Sequence, residues 1–414
     1  MALVLLRAVA AAEPLPVVKI GGVYNTGIGL SGKAAFDLWA EWANNSDSNP
    51  NFTVQITWAE YTTDEALATS IEGFVADEVH AIIPPYTTAL SKATIEAVPA
   101  GSTIPILVWG GASDSIFTES CVDRKCFGGL SVASEYISPS LTKVMAASGA
   151  NIGVGIITNN NAFSASVTAG AEAFIEATDG VTLTGSTTLE AYQTDLSAND
   201  TDKISTLIAD TPEVIIVVGH PGDVEVVVES VQTFKYVPNA IIAVNAFTEP
   251  SNYEDASKMN YVIMPEQWDE GNAADSIVGW TPATFHEDLG ESASYHSASA
   301  GGLAIAMTHA VFSILAEDDP DLSTLAAKMH AQTAVQTFYG SLSWESNGIV
   351  KKPMYGKQKQ EDDYVIVAPE GATLVYPMVQ RTATVSSAQQ LAQLPALRRA
   401  AVLAAAFAVL FCCA

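Results

Sequence analysis

At 414 residues, 49% of them hydrophobic, the chain can bury two domain cores and is too apolar to be a disordered polymer. Its 18 Lys+Arg against 46 Asp+Glu give a net charge of −28, a field that repels nucleic acid and anionic membrane surfaces. The same charge suits a heavily solvated surface or, as the alternative, attraction of cationic ligands.

The first residues, MALVLLRAVAAAEP, form a short apolar run followed by small residues. Residues 1–16 are therefore expected to be a signal peptide cleaved within Ala8 to Ala12, although no basic segment precedes the run. VVKIGGVY (17–24) is apolar without helical period and predicts a buried strand. A helix is expected over Lys33 to Asn44, with Ala35, Leu38, Trp39 and Trp42 on one face, and a second strand over TVQITWA (53–59). Thr62 and Glu65 have capping-box spacing before a helix whose Leu67, Ile71, Phe74 and Val75 make one buried stripe. VHAII (79–83) and IPILVW (104–109) read as buried strands around a helix from Leu90 to Val98. The rhythm restarts with a strand at 151–158, a helix from Phe163 to Ala177, strands at 213–219 and 240–244, and a helix from Asp223 to Tyr236 between them. A long helix is expected over Ser297 to Ala316, facing inward through Leu303, Met307, Ala310 and Ile314. Short strands at YVIV (364–367) and TLVY (373–376) follow. Strands alternating with helices argue an α/β fold with parallel sheets covered on both faces.

Four cysteines fall in two places. Cys121 and Cys126 enclose the polar run VDRK, and Cys412 and Cys413 lie in an apolar tail. A lone C-x4-C pair lacks the two further ligands a zinc site needs, so an oxidised pair closing a small surface loop, in an oxidising compartment, is the reading. The sequons at Asn44, Asn51 and Asn199 sit in polar, loop-like stretches and are glycosylation candidates. At the C-terminal end, Ser386, Ser387 and Ala388 precede a polar spacer and an apolar run from Ala400 to Ala414. Small residues, spacer and apolar tail in that order are the pattern of a GPI-attachment signal, with a short membrane anchor as the alternative.

GIGLSGKAAF (27–36) contains G-x-G-x-x-G at Gly27, Gly29 and Gly32, with Lys33 next. As a dinucleotide loop it has Asn25 and Thr26 between strand and first glycine, and its acidic residue, Glu60, lies too far along the chain. As a P-loop it has Ala34 where a hydroxyl should hold magnesium. What remains is a helix N-terminus at the carboxyl edge of a sheet, where open α/β sheets bind polar or anionic groups. The other loops at that edge are PPYTTA with Tyr86, Thr87 and Thr88, GGASDS (110–115), NNNAF (159–163), HPGD (220–223) and NAFTE (245–249). They carry hydroxyls, amides, glycines and aromatics, with no nucleophile elbow and no metal-binding helix motif. His220 beside Asp223 is the one arrangement resembling an acid–base pair, but the pattern is more often that of a turn histidine next to a helix-capping aspartate.

From about Val17 to Pro377 the chain resembles the type I periplasmic binding proteins, in the branch of leucine/isoleucine/valine-binding proteins and receptor ligand-binding regions. The opening strand, glycine loop and first helix carry the likeness, together with TTDEALATSIEGFVADEVHAIIPPYTTALSKA, IPILVWGGASDSIF, IGVGIITNNNAFSASVTAGAEAFI and, most specifically, FYGSLSWESNGIV (338–350). The resemblance implies two Rossmann-like lobes hinged by three crossings, one of 17–132 plus 266–342 and one of 133–265 plus 343–378, with spacer and tail over 379–414. It implies a non-enzymatic, secreted or cell-surface protein that closes on a small-molecule ligand, an amino acid or similar, without cofactor, and that could dimerise through its first lobe. By position it implies ligand contacts at Ser31, Thr87, Thr88, Ala112 and Ser113 of the first lobe and at Phe163 and His220 of the second, to which the edge loops themselves add Tyr86, Gly111 and Asp223 as candidates. Where relatives place an acidic residue for an α-amino group this chain has Ala246, so Asp223 or Glu249 would have to substitute. The competing readings are an NAD(P)-dependent or other α/β enzyme built on Gly27–Gly32 and His220, and lobes kept only as a protein-interaction module.

Overall fold

Val18, Ile20 and Val23 are buried along β1 (Val17–Tyr24), the strand around which the first sheet forms. The order is β2 (Thr53–Glu60), β1, β3 (Ala81–Ile83), β4 (Pro105–Val108), β5 (Lys125–Gly128), all parallel. Because neighbouring strand residues face opposite sides, Ile83 and Leu107 pack under α1 (Ile28–Asn44) while Ile82 and Ile106 pack under α2 (Asp64–Ala76) and α3 (Thr88–Ala97). The second sheet runs β15 (Asp363–Ala368), β14 (Tyr355–Gln360), β10 (Ile263–Glu266), β9 (Ala240–Ala243), β8 (Val214–Val218), β6 (Ile152–Asn159), β7 (Val181–Leu189). It is parallel from β7 to β10 and antiparallel at β14 and β15. Its helices are α4 (Ser138–Ser148), α5 (Ala162–Ala177), α6 (Ala198–Ile208) and α7 (Pro221–Thr233).

This computed structural model describes residues 15–45, 51–149, 151–190, 196–219, 221–234, 236–246, 259–271, 276–290, 293–361 and 363–374, without the side chains of 221–223 and 232. The expected signal peptide (but for residues 15 and 16), His220, Glu249, Ser386, Ser387 and the apolar tail lie outside the described residues.

The chain passes between the sheets three times. It leaves the first sheet after β5, returns after β10 through α8 (Pro282–Leu289), α9 (Tyr295–Leu315) and α10 (Leu325–His330), and leaves again after the sheet of β11 (Val335–Thr337), β12 (Gly340–Trp344) and β13 (Val350–Lys351). The expected boundary at 342/343 falls inside β12. Trp344 Nε1 donates to the Gly128 carbonyl at 2.8 Å and Gly128 N–H donates to the Gly348 carbonyl at 2.9 Å, which ties β12 and the turn after it to β5. Hydrogen bonds join the three passages. Ser131 N–H donates to Gln267 Oε1 at 3.0 Å, and Lys352 Nζ donates to the Gln267 carbonyl and, at 3.2 Å, to the same Oε1. Enclosure pushes the Lys352 ammonium down to about 7, against the upward pull of Glu266 and Glu135. At the first passage α5 lies directly on the turn at 133–135: a Cβ on Gly170 would stand 2.2 Å from the Ser134 carbonyl oxygen, so only glycine fits.

Several expectations are corrected. The first helix starts at Ile28, five residues early, so Gly29 and Gly32 are helical rather than looped. Thr63, not Thr62, caps α2 by accepting Ala66 N–H. The long helix shows no single inward face: α9 is buried on nearly all sides, as an apolar helix between other layers must be. It is also long and apolar enough to cross a membrane by composition, but 78% of its most apolar stretch is covered by the rest of the protein. Asp223 is the third residue of α7 rather than its cap. Asn199 lies in α6, behind the Ser197 cap, not in a loop. Asn44 ends α1 and its amide bonds both Val54 N–H and carbonyl at 2.9 Å, while Asn51 holds a left-handed φ of 65°. Cys121 and Cys126 form a disulfide with Cα atoms 6.0 Å apart, but both are buried and Cys126 belongs to β5, so only the intervening residues reach the surface. Thr373 and Leu374 are in no strand.

Candidate functional site

In both sheets the strand order reverses, at β1/β3 and at β6/β8, and open α/β sheets bind ligands beyond the carboxyl ends of strands at such points. A cavity of about 120 Å³ lies there, between the loops after β3 and β4 on one side and those after β6 and β9 on the other. The N-termini of α3, α5 and α9 all reach it.

Each of these helices is capped in the same manner. Thr87 accepts Leu90 N–H, Asn161 accepts Ser164 N–H, and Ser294 accepts Ser297 N–H. In every case the cap takes the third N–H of the helix, and the first two helical residues line the cavity: Thr88 and Ala89, Ala162 and Phe163, Tyr295 and His296. Thr87 performs this with φ 111° and ψ 157°, a region of backbone space that β-branched residues avoid. Thr88 is only 7% exposed and its hydroxyl has no partner among the described residues, so it is open to a guest.

The walls are aromatic. Tyr86 meets His296 edge to face at 5.1 Å, His296 stacks on Tyr295 at 4.0 Å, and Tyr136 meets Phe163 at 5.5 Å. Burial pushes the Tyr136 phenol up, so it stays neutral throughout the physiological range. Two contacts bridge the two sides. Tyr295 hydroxyl donates to Asn245 Oδ1 at 2.9 Å, and the Ser113 and Ser166 hydroxyls meet at 2.7 Å.

Of the residues expected from sequence, Tyr86, Thr87, Thr88, Ala112 and Phe163 come together on this cavity. Ser31, Gly111, Ser113 and Ala246 do not line it. Ser31 hydroxyl donates to the Ile28 carbonyl at 2.8 Å, and Gly111 is wedged against Ile116 and Ser91. Ser113 is spent on the bridge to Ser166, and Ala246 sits in the core of the second sheet. Sequence reasoning missed Tyr136, Tyr295 and His296, and named no contact at Asn161 or Asn245 although both lie in edge loops it had singled out. Asn161 carried a readable signal, a cap residue opening a helix. Tyr295 and His296 carried none, since α9 follows no strand of either sheet directly.

The glycine motif is absorbed by packing. A Cβ on Gly32 would stand 2.4 Å from the Trp109 ring, which is held by its Nε1 bond to the Pro84 carbonyl. Lys33 pairs with Asp37 at 2.5 Å instead of facing a phosphate, and no residue from 27 to 33 lines the cavity. Among the described residues no group of His, Cys, Asp and Glu could hold a metal ion.

A model of the family described as periplasmic binding protein matches residues 17–362. No curated protein matches the chain. Among solved structures, a leucine-, isoleucine-, valine-, threonine- and alanine-binding protein from Brucella ovis in its closed conformation superposes with TM-score 0.71 at 16% identity, covering 86% of this chain and 95% of that one. The branched-chain amino acid transporter substrate-binding protein LivJ of Streptococcus pneumoniae, in complex with isoleucine, gives TM-score 0.64 at 14% identity, over 85% and 100% of the two chains. An ABC-transporter solute-binding protein from R. palustris, in complex with benzoate, gives 0.67 at 9% identity, over 86% and 99%. At such identities these structures speak for the fold, two parallel-sheet lobes with a cleft between them, and not for a shared ligand. With the family's pattern matched from the first strand to the hinge and its architecture present throughout, the chain belongs to the periplasmic binding protein family.

Proposed function

We propose that this protein is an extracellular solute receptor that captures one small molecule between two lobes, without making or breaking a bond in it. The lobes are those of the two sheets, meeting at the passages around Ser131, Gln267 and Lys352. One observation carries the reading: the cavity is walled from both sheets by helix ends, a hydroxyl and aromatic rings, and among its described lining residues no acid–base pair stands ready for catalysis. Family relatives of this fold include binders of amino acids and of benzoate, and both classes are small enough for such a space. The Cys121–Cys126 pair and the apolar N-terminal segment support an exported protein, and the apolar tail supports a tether at the cell surface.

Thermal unfolding of the purified protein with a panel of amino acids, aromatic acids and nicotinamide dinucleotides tests this. A ligand that binds only the folded state at a hundred times its Kd adds about 2.7 kcal/mol. A solute from the first two classes is expected to raise Tm, and the dinucleotides to leave it unchanged. Stabilisation by a dinucleotide alone, or turnover of any metabolite, would favour the enzyme reading.

A further inference from the structure

The sequons at Asn44, Asn51 and Asn199 play no part in capturing a solute, and the fold separates them. An N-linked glycan is bulky and polar, so its asparagine must hold the amide where a new substituent can enter water. The sequon also pairs that asparagine with a hydroxyl two residues on, so the transferring enzyme must reach both from one side.

Asn44 fails the first condition. Thr53 N–H donates to the Pro16 carbonyl at 2.9 Å, toward β1, so its neighbour Val54 turns its own N–H and carbonyl to the open edge of the sheet. The Asn44 side chain fills that edge with a two-point bond, Nδ2 donating to the Val54 carbonyl and Oδ1 accepting its N–H, each at 2.9 Å. Such a pair uses the amide hydrogen on the same side as Oδ1. A sugar on Nδ2 makes a secondary amide, and the trans form puts the sugar carbon on that side, where the Val54 carbonyl already stands. Asn199 fails the second condition. It lies in the first turn of α6, where residues two apart point about 200° from one another, and the Thr201 hydroxyl donates to the Ser197 carbonyl at 2.9 Å.

Asn51 escapes both obstacles. It is exposed, in a bend outside helix and strand, at φ 65°, a left-handed shape that asparagine accepts. Phe52 is fully buried, its ring centre 5.8 Å from that of Phe312, and anchors the bend from inside. With Phe52 turned inward, its neighbours Asn51 and Thr53 lie on the outer side, Thr53 opening β2.

We propose that Asn51, alone among the three, carries an N-linked glycan. This rests on the reading of the protein as an exported receptor. In the transfer, Asn51 Nδ2 bonds to the anomeric carbon of an oligosaccharide and the bond from that carbon to a lipid-linked diphosphate breaks. The diphosphate leaves with the electron pair, and Nδ2 gives up one proton. Asn51 stands at the amino end of the edge strand β2, whose eight residues span about 26 Å to the carboxyl edge where the cavity lies. The glycan thus shields the start of an open sheet edge and leaves the cleft clear.

The full-length protein, expressed in a eukaryotic secretory host and collected from medium and cell surface, tests this. Peptide N-glycosidase in heavy-oxygen water turns each glycan-bearing asparagine into a labelled aspartate, which peptide mass spectrometry locates. Label is expected at Asn51 and at neither Asn44 nor Asn199. Asn51→Gln and Thr53→Ala are each expected to remove the glycan, seen as a faster band on a denaturing gel, with circular dichroism showing both variants folded. Label at Asn44 or Asn199, or an exported protein without label at Asn51, would overturn the proposal and leave the receptor standing. A chain that never enters the secretory route would overturn the site and the exported reading together.

Discussion

Replacing Lys352 by methionine is expected to stabilise the protein. The Lys352 ammonium stands where the three passages meet, donating to the Gln267 carbonyl and side chain and lying 4.6 Å from the centre of the Tyr339 ring. Enclosure lowers it from 10.5 to about 7, so the charged form is penalised in the folded state by about 3.5 pH units, or ~5 kcal/mol at 1.36 kcal/mol per unit. Part of the side chain still meets solvent, which reduces this to ~3 kcal/mol, and losing the bonds to Gln267 takes back ~1 kcal/mol. Lys352→Met should therefore gain ~2 kcal/mol at pH 7, in line with buried charges that apolar isosteres replace at no loss. The sign in pH follows from linkage. Below about pH 7 the group is charged in both states and its full cost is present; between 7 and 10.5 the unfolded chain binds the extra proton, so stability rises with pH. Other shifted groups act elsewhere: the lowered His80, His309 and His330 below 6.5, the raised Glu135 in acid, the raised Tyr136 and Tyr339 above 10. Urea unfolding from pH 6.5 to 9.5 should give a rising curve for the parent and a higher, flatter one for Lys352→Met. Parallel curves, or a variant less stable at pH 7 with the same slope, would refute the reasoning.

Three further substitutions probe the site's supports. Gly32→Ala drives a methyl into the Trp109 ring and should cost about 1–3 kcal/mol in chemical denaturation, whereas no loss would mean that the ring yields freely. Asn161→Ala removes the α5 cap and should cost about 1 kcal/mol, read as a lowered Tm. Tyr295→Phe deletes the hydroxyl that reaches Asn245 across the cavity, and should weaken lobe closure by about 1 kcal/mol; X-ray scattering of the parent and variant should show the variant more open.

What could be read from the chain follows from where each element is buried. β1, β6 and β8 are parallel strands covered on both faces, and such strands appear as continuous apolar runs. β7, VTLTGSTTL, is an edge strand with alternating exposure, and β14, YGKQKQ, is built of polar residues, so neither carries that signature. The long helix was visible by its length and composition, but a helix covered on nearly every side has no stripe to reveal which neighbour it serves. The site was half legible for a related reason. Tyr86, Thr87, Thr88, Ala112 and Phe163 directly follow strands, and the edge rule finds them. His296 and Tyr295 arrive through a helix packed over the first sheet, and Asn245 owes its role to a bond with Tyr295 that no local pattern encodes. Ser31 and Ser113 match by position, yet each hydroxyl is bonded to a protein partner instead.

Thr87 holds a backbone shape in which glycine would rest and a β-branched residue does not, at a cost on the order of 1–3 kcal/mol. A lineage selected only for heat tolerance would be expected to drift toward glycine there, easing the turn while surrendering the hydroxyl that opens α3. The easiest improvement in durability thus lies at the very residue that aims a helix at the guest, and a hardened variant of this receptor would be apt to lose its sense of taste.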